Sequence, residues 1–113
     1  MSIIVTLNTA AKPPVTVSPN PFDVTSSGLQ SLTWIPESGQ TFEFVSLTFA
    51  NNPSCFSAPT VNKAAIYVND TNTNTGPATT YPYTIVVSQN GVNHSSATTG
   101  LSATGGAPAI RNT

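Results

Sequence analysis

Charge is what this chain has least of. Lys12, Lys63, Arg111, Asp23, Asp70, Glu37 and Glu43 are its whole charged inventory, 6% of 113 residues, where about a quarter is usual. Ser, Thr and Asn keep the surface wet instead. With a formal net charge of −1, three scattered cations cannot neutralise a run of phosphates or a patch of anionic lipid. Nucleic acid and membrane surfaces are therefore excluded as expected partners.

Histidine and cysteine are nearly as scarce, with His94 and Cys55 the only examples of each. A blue-copper site needs two imidazoles and a thiolate, usually with a weak axial Met, and structural zinc needs four ligands of this kind. Cys55 lies in NPSCFSAPT (52–60), whose short Cys-to-Pro spacing resembles a copper loop, but no His-rich segment follows it. The inventory implies no metal and no cofactor. A lone Cys forms no internal disulfide, which fits a reducing compartment. The segment MSIIVTLNTAAKPP has no basic n-region and only about five consecutive apolar residues, short of a signal peptide. No segment reaches the roughly twenty apolar residues that span a bilayer. A bacterial cytoplasmic protein is the expectation, and a secreted one if a leader has been removed. The sequons at 69–71 and 93–95 are then idle.

Helical periodicity is missing as well. Nowhere do apolar residues recur at i, i+3, i+4, i+7 over three turns, while β-branched and aromatic residues come in bursts split by Pro, Gly and Asn. SIIVTLN (2–8), PPVTVSP (13–19) and FDVT (22–25) read as strands. So does QSLTWIP (30–36), with Leu32 and Trp34 on one face. TFEFVSLTFA (41–50) alternates, and its apolar face switches near Val45, which predicts a bulge or a strand that crosses between sheets. AAIYVND (64–70) and YPYTIVVSQ (81–89) follow, the latter closed by Asn90-Gly91, a strong hairpin signal. TNTNTGPATT (71–80) reads as a polar loop. A short apolar piece around Ala109 and Ile110 ends the chain.

Seven or eight short strands around one Trp predict a single all-β domain over 1–113, an Ig-like Greek-key antiparallel β-sandwich. A small β-barrel is the alternative. The Cys pair that flanks the Trp of true immunoglobulin domains is absent. Trp34, Leu32, Phe44 and Ile85 are the expected core.

Four stretches, VTVSPNPFDV (15–24), LTWIPESGQTFEF (32–44), YPYTIVVSQNG (81–91) and GGAPAIRN (105–112), resemble the DP-EP family of small bacterial sandwich proteins. They cover about 40 residues of the 113. Ala107-Pro108 stands where that family would carry Asp-Pro, and no Glu-Pro follows Asn112. The resemblance implies the fold and carries no catalytic residue.

Each candidate site has a plain alternative. Cys55 could be a nucleophile with His94 as its base, but a free Cys beside Phe56 reads better as a small core hydrophobe. Glu37 and Glu43 could form a carboxylate pair, yet one falls in a turn and the other in a strand, so both read as solvated charges. Gly105-Gly106 lacks the Lys and the following helix of a phosphate loop. Tyr81 and Tyr83 share a face around Pro82 and could stack on a sugar ring or anchor an interface; their other reading is closure of the core over Trp34. Asn72 and Asn74 sit in the polar loop, where their amides could meet a carbohydrate or only water.

The expected role is a non-catalytic interaction or self-assembly module with a protein partner, itself or another. A carbohydrate-binding module using Tyr81, Tyr83, Asn72 and Asn74 is the alternative, and a hydrolase is the remote one. With so little charge to guard an edge, SIIVTLN and PPVTVSP are the expected open edges.

Overall fold

A computed structural model describes residues 1–97 and 107–113. Among these residues ten strands form two open five-stranded sheets packed face to face, a β-sandwich rather than a closed barrel. They are β1 (Ser2–Leu7), β2 (Val15–Ser18), β3 (Phe22–Val24), β4 (Gly28–Pro36), β5 (Glu43–Phe49), β6 (Thr60–Val61), β7 (Ile66–Asn72), β8 (Thr79–Gln89), β9 (Val92–Ser95) and β10 (Ala109–Asn112). The first sheet runs β2-β1-β4-β7-β6 and the second β3-β10-β8-β5, with β9 also pairing on β8. No helix occurs among the described residues, so none there is long and apolar enough to cross a membrane.

Two pairings depart from the expected all-antiparallel pattern. β1 runs parallel to β4, and β10 runs parallel to β3. Parallel neighbours need a crossover rather than a hairpin. Here β2 and β3 supply the first crossover, and nearly the whole remaining chain separates β3 from β10. β1 is thereby covered on both sides, by β2 and β4. The expectation that SIIVTLN is an open edge is corrected; β2 is the edge.

Alternation sets the core. Ile3 and Val5 of β1, Leu32 and Trp34 of β4, and Ile66 and Val68 of β7 face inward from the first sheet. Phe44, Leu47 and Phe49 of β5, Tyr83, Ile85 and Val87 of β8, and Ile110 of β10 meet them from the second. In β5 the register against β8 slips between Phe44 and Ser46. This bulge at Val45 lets Phe44 and Leu47, three residues apart, face the same core. Asn90 and Gly91 both take left-handed φ, 53° and 79°, as the tight turn between β8 and β9 requires.

The polar run after β7 is not a loop throughout. β7 extends to Asn72 and β8 begins at Thr79, because the two-residue period of Ile66 and Val68 continues through Asp70 and Asn72, both buried. The Gly105-Gly106 pair and the start of the 105–112 stretch lie outside the described residues.

Candidate functional site

Among the described residues β5 ends one edge of the second sheet. Ile85, opposite Leu47, donates its N–H to Ser96 Oγ at 2.8 Å and accepts from Ser96 N–H at 2.9 Å, both on the side away from β5. Tyr83, opposite Phe49, likewise donates to the Pro108 carbonyl at 2.9 Å. In an antiparallel pair the two residues either face each other or both face away. The backbone N–H and C=O groups of Leu47 and Phe49 therefore point to the outer edge. Nearer the start of β5, Phe44 N–H is already taken by the Lys63 carbonyl at 3.0 Å.

Beside this edge the 51–59 loop rises to form an open cleft of about 460 Å³, lined by Leu47, Thr48 and Phe49 and by Pro53, Phe56 and Pro59 among others. Asn51 and Asn52, both with left-handed φ, begin the loop. Phe56 stacks flat on Phe49, with ring centroids 4.0 Å apart, and meets Tyr81 edge-on at 5.2 Å. The loop is fastened to β7 by Ser57 N–H to the Asn69 carbonyl and Thr71 N–H to the Cys55 carbonyl, at 2.9 and 2.8 Å. The cleft thus has one fixed wall, one open strand edge and a stacked aromatic floor.

Behind that floor lies a polar cluster. Asn112 Nδ2 donates to Asp70 Oδ1 at 3.0 Å and lies 4.0 Å from Cys55 Sγ. Burial pushes the Cys55 thiol above its usual range; the neighbouring Tyr81 hydroxyl opposes this, and Asp70, where ionised, adds to it. A thiol held up in this way is a poor nucleophile. Burial likewise raises Asp70, against the lowering bond from Asn112, and burial raises Tyr81.

The expected site residues fare unevenly. Tyr83 is buried, accepts the Trp34 indole N–H at 2.9 Å and meets that ring edge-on at 5.5 Å. It closes the core over Trp34 and offers no stacking face. Tyr81 is half-buried against Phe56. Asn72 is buried too: its amide nitrogen lies 3.2, 3.1 and 3.2 Å from the carbonyls of Val24, Ser26 and Thr113. Half-buried Asn74 donates to the Pro77 and Asn112 carbonyls, both at 2.9 Å. These two amides are clamps on β3 and β10, not ligand contacts, because backbone carbonyls buried by the packing of the sheets need donors.

Cys55 is half-buried, outside the core it was expected to fill; its loop caps the sandwich and does not enter it. His94 pairs with Val87, whereas Cys55 sits by Tyr81. Six residues of β8 separate those positions, about 20 Å at strand spacing, so the two do not form a catalytic pair. Glu37 accepts from Thr6 Oγ1 at 3.2 Å, while exposed Glu43 lies 4.0 Å from Lys63 Nζ. Among the described residues no three His, Cys, Asp or Glu side chains gather as a metal site.

Sequence reading missed the cleft, and it passed over Asp70 and Asn112. Period-two continuation of Ile66 and Val68 is the signal that points to Asp70. Comparison of the chain with family models and with curated proteins finds no match.

Proposed function

We propose that this chain is a non-catalytic interaction module that self-associates by strand addition at β5. The observation that carries the reading is the open backbone of Leu47 and Phe49 beside a preformed apolar cleft. A strand laid along that edge would find two N–H and two C=O groups already aligned, and side-chain pockets next to them. Other edges are poorer templates. β6 has two residues, β3 three and β2 four, and short edge strands are a common defence against pairing, as are the prolines flanking β2. β5 has seven residues, with Glu43 its only charge. A near-neutral molecule offers little repulsion to oppose contact between copies.

Light scattering over a hundredfold concentration range tests this. The weight-average mass should rise with concentration, and a constant 11.7 kDa throughout would count against an assembly role. We also propose a relation to the DP-EP family, supported by its four stretches falling on β2–β3, β4–β5, β8 and β10.

A further inference from the structure

Two oxygens are buried without a partner among the described residues: Asp70 Oδ2 and Asn112 Oδ1. They belong to side chains that already touch, through Asn112 Nδ2 and Asp70 Oδ1 at 3.0 Å. Both residues are buried, at 0% and 2% exposure. Asp70 is on β7 in the first sheet and Asn112 on β10 in the second, so their contact crosses the sandwich. An ionised carboxylate here would have one donor for two oxygens, and its second oxygen would lie buried with no donor among the described residues. A carboxylic acid has what is missing, one O–H donor.

We infer that Asp70 is held as the neutral acid, donating its Oδ2 proton to Asn112 Oδ1 while Asn112 Nδ2 donates to Asp70 Oδ1, a closed acid–amide pair that ties β10 to β7. Both orphan oxygens are then satisfied by one proton. The surroundings favour the neutral form. Cys55 from the 51–59 loop and Tyr81 from β8 are the titratable groups that act on this corner, and neither is a cation. Gln30 lies opposite Asp70 on β4, and Phe56 bridges to it from the loop; both are uncharged. Arg111, next to Asn112, turns outward to an exposed ion pair with Asp23. Burial raises Asp70 in accord with this. Ionisation removes the shared proton and sets two acceptor oxygens against each other, which loosens the tie between the sheets.

The sign of the pH dependence follows. An acid with a raised folded pKa holds its proton in the folded state after the unfolded chain has lost it. Its full contribution is present below the unfolded pKa of about 3.9 and is lost as pH rises through the folded value. In that window the unfolding constant grows by up to tenfold per pH unit from this group.

The native protein has four side-chain carboxyls, so carbon-13 NMR can follow Asp70 directly. Asp70 should keep its protonated shift at pH values where an ordinary aspartic acid is ionised, and a midpoint at or below the ordinary value would overturn the inference. Asp70→Asn supplies the second arm, because an Asn amide can donate to Asn112 Oδ1 at every pH. In urea at pH 7 this variant should be at least as stable as the native chain, and the gap should close as pH falls below 4. A variant less stable than native at pH 7, or unfolded, would overturn the inference.

Discussion

Trp34 illustrates how one side chain organises this interior. Its ring is fully buried and its N–H is satisfied by Tyr83 Oη, so truncation removes both packing and a buried hydrogen-bond partner. Trp34→Ala should cost about 3–5 kcal/mol, enough to unfold a marginal domain; near-native stability in a urea titration would refute this. Asn72 carries a different kind of weight. Its amide faces three carbonyls, and Asn72→Asp, almost the same in shape, would turn a carboxylate oxygen toward them. A loss of about 3 kcal/mol at pH 7 is expected from the buried, unpaired charge, measured by the shift in urea midpoint. An unchanged midpoint would mean that the amide is not the clamp on β3 and β10.

At the scale of elements, exposure of the backbone distinguishes β5 from its neighbours. Thr48 is exposed on that edge while its own backbone faces β8, so Thr48→Lys places a charge beside the free groups without breaking the ladder. Association should weaken at least tenfold, with folding stability changed by no more than about 0.5 kcal/mol. Ile4→Lys is the matched control. Ile4 lies in β1, covered on both sides, and the substitution should leave association untouched. Light scattering on both variants separates the two edges, and equal loss in both would remove β5 from consideration.

For the whole molecule, sparse charge and sparse ligands act together. One thiol and one imidazole, beside β8 positions Tyr81 and Val87 that are six residues apart, cannot make a tight site for copper or zinc. Isothermal titration of tag-free protein with either ion should show nothing stronger than micromolar binding. A metal-dependent rise in melting temperature would contradict this. The same scarcity leaves the sandwich dependent on apolar packing across its sheets and on neutral amides at their ends.

Composition and period-two alternation by themselves determined that the chain is all-β, which side chains of β4 and β8 face inward, that the apolar face of β5 shifts at Val45, and that Asn90-Gly91 turns a hairpin. These are local properties, set by where each Cβ points along a strand and by which residues accept left-handed φ. Only the tertiary structure decided strand order, the parallel placement of β1 and β10, and therefore which edge stays open. Those depend on contacts between residues far apart in sequence, such as Ile110 with Phe22 and Tyr81. The fates of Tyr83, Asn72 and Asp70 were decided there too. A polar side chain on an inward-facing position is buried or exposed according to what the opposite sheet brings to it, and here that sheet brought Trp34 an acceptor and Asp70 an amide.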